Sequence, residues 1–282
     1  MKKIIYFVTP SKNALEGFKL FIFNTCKKLQ LKFNVGMLIT VNKKGEVDVS
    51  IKEFANKIPI LVDNGAFRYG QSIGVEQLKL TLLNLCENYK IYNFKLIAPD
   101  VLENPLETVE LTIEFFKNIP LTYWQYVIPV LQGKTVDDYL LCFSTLISKI
   151  PLKYMVKKGV RILAIGGLKK KNYNDKIKII NEVHKIIKSF NPLNYKLKLH
   201  ILGGDLQVIK IITKLDHVYS IDTTNWMYGI TKHLRFTIAN IDKVHGIRVF
   251  GKDINRISWG VVLAHEIEQY ALIIDTFFRK GS

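Results

Sequence analysis

The chain has 282 residues, of which 48% are hydrophobic, and it carries a formal net charge of +17. This length is ample for a sizeable buried core. The sequence contains no run of about 18 or more uncharged apolar residues, so a transmembrane helix is not expected. The three cysteines are far apart and form no CxxC pair or Cys/His cluster, so neither a disulfide framework nor a structural zinc site is expected. These features predict a cytoplasmic protein that does not bind membranes.

Eight short apolar or β-branched runs are predicted to be strands. They cover residues 3–8, 36–41, 59–62, 95–98, 126–130, 161–165, 199–202 and 218–221. Between them, stretches such as 75–89, 105–118 and 174–190 have apolar residues at three- and four-residue spacing, which is typical of helices. Eight alternating units in a chain of this length predict an α/β fold, a (β/α)8 TIM barrel. An open doubly wound sheet is the alternative, although no GxGxxG follows the first strand.

The chain contains no low-complexity linker, so a single domain over residues 1–282 is expected. Residues 227–256 are the least regular part and are predicted to form an insertion after the last strand. Residues 257–282 are predicted to contain a closing helix.

Polar and small residues follow the predicted strands, at the end of the barrel where active sites are found. These residues are Asp63, Asp100, Gln132, Gly166, Gly167, Gly203, Gly204 and Asp222. Taken singly, each has a structural explanation, because an aspartate after a strand caps the next helix and a glycine permits a turn. Taken together, three carboxylates, an amide and several glycines predict a pocket that a planar ligand can approach closely.

Several other catalytic motifs are absent from the sequence. The segment "HEIEQ" at His265 lacks the second histidine of HExxH, and no serine lies in a GxSxG context. The segment "GGLKKKN" from Gly166 lacks the Walker spacing and is interpreted as a basic loop beside the pocket. His200, within a predicted strand, is expected to be a packed histidine rather than a catalytic one.

The positive charge is concentrated in the stretch 154–190, whereas acidic residues gather in the stretch 103–115. A basic excess attracts polyanions through electrostatic steering and counterion release, so nucleic acid is a predicted partner. A lysine-rich proteome would produce a similar composition.

The order of the strand-end motifs resembles the tRNA-guanine transglycosylase superfamily, from about Ile60 to Trp226. The motifs are "DNGAF", "APDVL", "VLQG", "AIGGL" and "SIDTTNW". The resemblance implies that Asp222 is the nucleophile and Asp63 the general acid/base. It also implies a base-binding set that consists of Asp100, Gln132, Gly133, Gly166, Gly167, Leu168 and Phe67.

The tRNA enzymes of this superfamily carry a CxCxxC…H zinc site, but this chain has no cysteine after Cys142. The resemblance therefore favours the branch, found in phages and bacterial modification islands, that inserts a preQ0-type 7-deazaguanine into DNA. The implied enzyme is a glycosyltransferase of the pentosyltransferase type. Asp222 would attack C1′ of a guanosine unit and hold the sugar covalently, while Asp63 protonates the departing guanine.

The resemblance further implies that no metal or cofactor is needed, and that the partners are DNA, in preference to tRNA, and the free 7-deazaguanine base. A homodimer is compatible with the family. The target base would be flipped out or single-stranded. The nucleic-acid backbone would be held by Lys157, Lys158, Lys169, Lys170, Lys171, Lys232, Arg235 and Arg248.

Three alternatives remain at the level of the sequence. The first is the same chemistry on tRNA. The second is a non-catalytic basic barrel that binds nucleic acid, for which Asp63 and Asp222 would lie far apart. The third is a barrel enzyme that acts on a small phosphorylated metabolite, with a phosphate site in the segment 203–205.

Overall fold

The computed structural model describes residues 4–9, 15–48, 51–55, 57–190, 195–223, 264, 267–269, 271–276 and 279. Within them the strands are β1 (Ile5–Val8), β2 (Asn34–Thr40), β3 (Ile60–Asp63), β4 (Phe94–Ile97), β5 (Val127–Ile128), β6 (Val130–Leu131), β7 (Ile162–Ile165), β8 (Lys198–Ile201) and β9 (Val218–Thr223). The α-helices are α1 (Leu15–Leu20), α2 (Ile51–Ala55), α3 (Ala66–Tyr69), α4 (Val75–Leu83), α5 (Pro105–Asn118), α6 (Val136–Lys149), α7 (Leu152–Lys157), α8 (Tyr173–Phe190) and α9 (Leu206–Ile212).

All strands pair in parallel, in the order β5-β4-β3-β2-β1-β9-β8-β7-β6. The two edges of this order, β5 and β6, are consecutive in the chain and flank Pro129, which has no N–H to donate. The Ala98 N–H donates to the Ile128 carbonyl at 2.9 Å on one side, and the Ala164 N–H donates to the Pro129 carbonyl at 2.8 Å on the other. Thus β5 and β6 are two halves of one strand, and the predicted (β/α)8 barrel is confirmed.

The barrel interior is filled by apolar side chains from alternate strand positions, as expected for a small parallel barrel. These side chains are Ile5, Phe7, Leu38, Leu61, Ile97, Ile128, Val130, Ile162 and Ala164. A larger apolar layer lies between the strands and the surrounding helices. The interior is so tightly filled that a Cβ at Gly36 would lie 2.5 Å from the Phe7 ring.

The predicted helices correspond closely to those observed. Helix α5 covers the predicted residues 105–118, and the Asn104 side chain caps it by accepting from the Glu107 N–H at 3.3 Å. Helix α4 ends at Leu83 and continues as a π-helical turn, Asn84–Asn88. In the part of the chain that is described, no helix is long and apolar enough to span a membrane.

The last part of the chain is only partly described. Residues 264, 267–269, 271–276 and 279, within the predicted closing helix, are helical. Ile267, Ala271 and Ile274 are buried, and the Asp275 carboxylate accepts from the Lys32 N–H. The predicted insertion over 227–256 lies outside the described residues.

Candidate active site

The carboxyl ends of the barrel strands surround a cavity of about 510 Å³. Most of the predicted catalytic and base-binding residues line this cavity, together with two of the predicted basic residues. They are Asp63, Phe67, Asp100, Gln132, Gly166, Gly167, Leu168, Lys169, Lys170 and Asp222. The barrel thus brings together residues from distant parts of the sequence, as the strand-end pattern predicted.

Asp63 is the last residue of β3 and is partly exposed within the cavity. Its carboxyl accepts hydrogen bonds from the Thr40 hydroxyl and the Gly65 N–H. Burial raises the pKa of Asp63 to about 7, and the negative charges of Asp222 and then Asp100 contribute to this rise against those hydrogen bonds. A carboxyl with this pKa can both donate and accept a proton near neutral pH.

Asp100, by contrast, is held between two side-chain amides. Asn64 Nδ2 donates to Asp100 Oδ1 at 2.6 Å, and Gln132 Nε2 donates to Asp100 Oδ2. Burial raises the pKa of Asp100, while these two hydrogen bonds act in the opposite direction. The carboxylate is therefore a fixed acceptor on the cavity wall. Asn64, which also donates to the Ala98 carbonyl at 2.6 Å, is not among the site residues predicted from the sequence.

Gly166 and Gly167 make room for the side chain of Gln132. A Cβ at Gly166 would lie 2.4 Å from Gln132 Nε2, and one at Gly167 would lie 2.7 Å from Gln132 Oε1. The Tyr139 hydroxyl donates to the Gly166 carbonyl at 2.6 Å and fixes this loop. Both glycines also line the cavity, so the approach of a planar ligand to their backbone stays a prediction.

Asp222 lies on β9 and is buried, with Oδ1 accepting from the Gly203 N–H at 3.1 Å. His200 Nε2 is 3.3 Å from the same oxygen, and His200 Nδ1 is 2.7 Å from Ser220 Oγ. His200 is fully buried, as expected of a packed residue, but the contact with Asp222 was not foreseen. The register of β8 on β9, which pairs His200 with Ser220, is the signal that could have indicated it.

The segment 203–205 does not offer a phosphate site. The Gly203 N–H donates to the Asp222 side chain, and the Gly204 N–H donates to the Asp222 carbonyl at 2.9 Å. Asp205 caps α9 and forms an ion pair with Lys176 at 2.7 Å. The N–H groups of both glycines are therefore already engaged, and the Asp205 carboxylate stands beside them.

The rim of the cavity is basic and aromatic. The Phe67 side chain is 50% exposed, and Lys169 Nζ lies 4.1 Å from the centre of its ring, at cation–π distance. Arg68 and Lys170 also line the rim, together with the acidic Glu103. The cavity therefore has an acidic interior and a rim with more positive than negative charge.

The other predicted site residues that the structure describes are not part of the cavity lining. Lys157 ends α7 and Lys158 follows it, on the connection from this helix into β7, so they lie at the end of the barrel opposite the mouth. Lys171 Nζ donates to the Lys134 carbonyl at 2.9 Å. Gly133 is not in the cavity lining, and a Cβ there would lie 2.4 Å from Asp138 Cβ. Lys232, Arg235 and Arg248 lie outside the described residues. Among the described residues, no group of three or more His, Cys, Asp or Glu side chains could hold a metal ion.

Solved structures with a similar fold include two aldolases. The fructose-bisphosphate aldolase of Campylobacter jejuni is 12% identical, with a TM-score of 0.53 over 99% of this chain and 88% of that one. The YdjI aldolase of Escherichia coli K12 is also 12% identical, with a TM-score of 0.51 over 98% and 91%. A 2,3-dimethylmalate lyase of the PEP mutase/isocitrate lyase superfamily is 9% identical, with a TM-score of 0.46 over 96% and 93%. At this identity, the likeness to the aldolases establishes the shared fold alone.

No protein-family model and no curated protein sequence matches the chain. With aldolases among the structures that share the fold, the assignment to the tRNA-guanine transglycosylase superfamily is wrong. The predictions that depended on it are corrected with it. These are base exchange in DNA or tRNA, a preQ0-type 7-deazaguanine substrate, a covalent aspartyl-sugar intermediate and the glycosyltransferase class.

The motifs behind that assignment have structural explanations in this barrel. In "DNGAF", Asn64 donates a hydrogen bond to Asp100. Gly65 has a φ of 81°, and a Cβ at this position would lie only 2.7 Å from the Tyr69 ring. In "AIGGL", Gly166 and its neighbour accommodate the Gln132 amide. Short motifs of this kind meet the needs of strand-end turns, so their order along a barrel does not identify a family.

Proposed function

We propose that the protein is an enzyme that transfers a proton between Asp63 and a small molecule bound in the cavity. The observation that carries the proposal is the position of Asp63, in a cavity of about 510 Å³ and with a pKa raised to about 7. Perturbed acids in a cleft are typical of catalytic sites, because proton transfer is most effective when the pKa is near the working pH.

The closeness of Asp63 and Asp222 favours a catalytic role over a purely binding one. A barrel that binds nucleic acid through surface charge alone has no need for a carboxyl whose proton affinity is raised by a second carboxylate. Here the charge of Asp222 is, after burial, the largest cause of the raised pKa of Asp63. Two neighbouring carboxyls in different surroundings are a recurring arrangement for dividing acid, base and electrostatic roles.

The cavity also supports a substrate class. Its acidic wall suits a group that donates hydrogen bonds or carries positive charge, whereas Arg68, Lys169 and Lys170 at the rim suit an anionic group. The exposed ring of Phe67 offers an apolar surface between them. We therefore propose a small anionic substrate, such as a phosphorylated or carboxylated metabolite, whose donor-bearing end points inward.

In the proposed reaction, protonated Asp63 donates its proton to the bound molecule, or ionised Asp63 removes one from it. The negative charge of Asp222 stabilises positive charge that develops beside Asp63. The fixed acceptors of Asp100 orient the donor-bearing end of the substrate.

The pKa of Asp63 is the direct test. In a ¹³C-labelled protein, the carboxyl resonance that disappears in Asp63→Asn should titrate with a midpoint near 7, because burial and two negative neighbours favour the protonated form. Asp137→Asn, at an exposed position in the first turn of α6, is the matched control and should remove a different resonance. A midpoint near 4 would contradict the proposal.

Turnover can be sought before the substrate is identified. Wild-type protein, Asp63→Asn and Asp137→Asn are incubated with a metabolite extract, which is then compared by mass spectrometry. We expect an anionic compound to be consumed by the wild type and Asp137→Asn but not by Asp63→Asn. If wild type and Asp63→Asn change the same compounds, Asp63 has no catalytic role.

Nucleic-acid binding at the mouth is a second candidate function. It is favoured by the net charge of +17 and by the presence of Lys169 and Lys170 beside an exposed aromatic ring. Two pairs of substitutions separate specific binding at the mouth from attraction by overall charge. One pair is at Lys169 and Lys170, and the other is at Lys157 and Lys158, at the opposite end of the barrel.

A further inference from the structure

We propose that His200 is a positioning residue, which donates a hydrogen bond from Nε2–H to Asp222 Oδ1 and so holds the Asp222 carboxylate toward the cavity. This inference deepens the proposed function, because it assigns the group that orients the partner of Asp63. It also rests on geometry of its own, the contacts of His200 with Asp222 and Ser220.

The contacts of His200 define a chain across two strands. Ser220 and Asp222 are two residues apart on β9 and so point to the same side of the sheet. His200, on the adjacent strand β8, lies beside both, with Nδ1 2.7 Å from Ser220 Oγ and Nε2 3.3 Å from Asp222 Oδ1. The order is therefore Ser220, His200, Asp222, running from the barrel interior to the cavity.

The two ring nitrogens of His200 have different surroundings. Nδ1 has a hydroxyl partner, which can donate to it, whereas Nε2 is buried and lacks a well-aligned hydrogen-bond partner in the described part of the chain. A buried imidazole N–H without a partner is costly, and the nearest acceptor is the Asp222 oxygen. Catalytic hydrogen bonds are often long in the unliganded state and shorten when substrate binds, so a small rotation of either group completes this one.

The surroundings of His200 fix the ring in place. It is completely buried, and its ring packs edge-on against Phe7 at a centroid distance of 6.0 Å. Phe7 is itself paired in register with Asp222 on β9. Solvent cannot reach the ring, so Ser220 and His200 have no access to substrate and act only through Asp222.

The tautomer of His200 is the first test. Long-range ¹H–¹⁵N correlation spectra of ¹⁵N-histidine-labelled protein at pH 8 should show the proton of His200 on Nε2, with Nδ1 bare. A proton on Nδ1 would mean that His200 donates to Ser220 instead and would overturn the proposal. This measurement uses the wild-type protein and does not depend on the folding of any variant.

The second test follows the Asp63 titration in His200→Leu, His200→Gln and Asp222→Asn. Leucine cannot donate, so the Asp222 carboxylate is no longer held toward the cavity, and the Asp63 midpoint should fall toward that of Asp222→Asn. Glutamine places an N–H near the position of Nε2 and should keep the midpoint near that of the wild type. An unchanged midpoint in His200→Leu overturns the role of His200 and leaves the proposed function in place. A wild-type Asp63 midpoint near 4 overturns the proposed function, and the tautomer of His200 then decides whether it holds Asp222.

Discussion

Asp63 and Asp100 are the same residue type at neighbouring strand ends, yet their surroundings differ. Two amides donate to Asp100 and hold both its oxygens, whereas one hydroxyl and one backbone N–H bond to Asp63. Asp63 also lies close enough to Asp222 to be affected by its charge. The two carboxyls thus differ in the hydrogen-bond donors that neighbouring strands supply, and burial raises the pKa of both, that of Asp63 to about 7.

The raised pKa of Asp63 has a consequence for stability. The folded chain binds this proton more tightly than the unfolded chain, in which the pKa is near 3.8, so stability should fall as the pH rises from about 4 to about 7. Asp63→Asn removes this effect. We expect the unfolding free energy of Asp63→Asn, measured relative to wild type, to be about 1–3 kcal/mol higher at pH 8 than at pH 5. This figure is discounted for solvent screening, because Asp63 retains some contact with water in the cavity.

Urea unfolding at pH 5 and pH 8 measures this difference. Asp137→Asn is again the control, because its exposed carboxyl has no such burial and should show no comparable gain. If Asp63→Asn and wild type differ by the same free energy at both pH values, the proton on Asp63 is not held by the fold.

Among the elements, the connection from β6 to α6 organises the cavity wall. Thr135 and Asp138 form a capping box at the start of α6, and Asp138 Oδ2 accepts from the N–H groups of Lys134 and Thr135 at 2.9 Å each. The hydrogen bond from the Thr135 N–H is the largest cause of the lowered pKa of Asp138. Gly133 lets the strand end approach this cap, and Gln132 is thereby placed against Asp100.

The cap can be tested by paired substitutions of Thr135. Thr135→Ala removes the hydroxyl that accepts from the Asp138 N–H and should lower the unfolding free energy by about 0.5–2 kcal/mol. Thr135→Ser keeps the hydroxyl and should remain close to wild type. Urea unfolding at neutral pH provides the measurement, and equal losses in both variants would show that the methyl group, not the cap, stabilises the helix.

At the scale of the whole molecule, lysines occur at both ends of the barrel. Lys169 and Lys170 lie at the mouth, whereas Lys157 and Lys158 precede β7 at the opposite end. A net charge of +17 attracts anions to the entire surface, but the mouth combines cations with a cavity and an aromatic ring. Position therefore matters more than total charge for a specific ligand.

This distinction predicts a difference between two double variants of equal charge. The pair Lys169→Gln and Lys170→Gln should weaken binding of inorganic pyrophosphate roughly tenfold or more, because charged hydrogen bonds at the mouth are lost. The pair Lys157→Gln and Lys158→Gln should leave it unchanged. Isothermal titration calorimetry at fixed ionic strength measures both, and equal weakening by the two pairs would contradict a specific anion site at the mouth.

A single-stranded oligonucleotide provides the comparison for the second candidate function. If the mouth binds nucleic acid specifically, only the mouth pair should reduce the salt dependence of binding, by about one phosphate contact for each lysine removed. Equal losses in the two double variants would mean that overall charge governs the interaction.

The barrel and the cavity could be predicted from the sequence because they depend on local patterns. Apolar runs and helical spacing indicate the strands, and barrel geometry then brings Asp63, Asp100 and Asp222 to one end. The contact of His200 with Asp222 depends on strand register, which one strand alone does not reveal. The assignment to a family failed for a related reason, since the short motifs satisfy turns and packing between strands.

The contact between Gln132 and the two glycines after β7 links positions that lie more than thirty residues apart. A methyl group at Gly166 would occupy the place of the Gln132 amide, so the two positions are not free to change independently. In homologous proteins the residues at positions 132 and 166 should therefore covary, with a residue larger than glycine at 166 only where a shorter side chain replaces Gln132. The residues at these two positions would then indicate which homologues retain the hydrogen bond to Asp100.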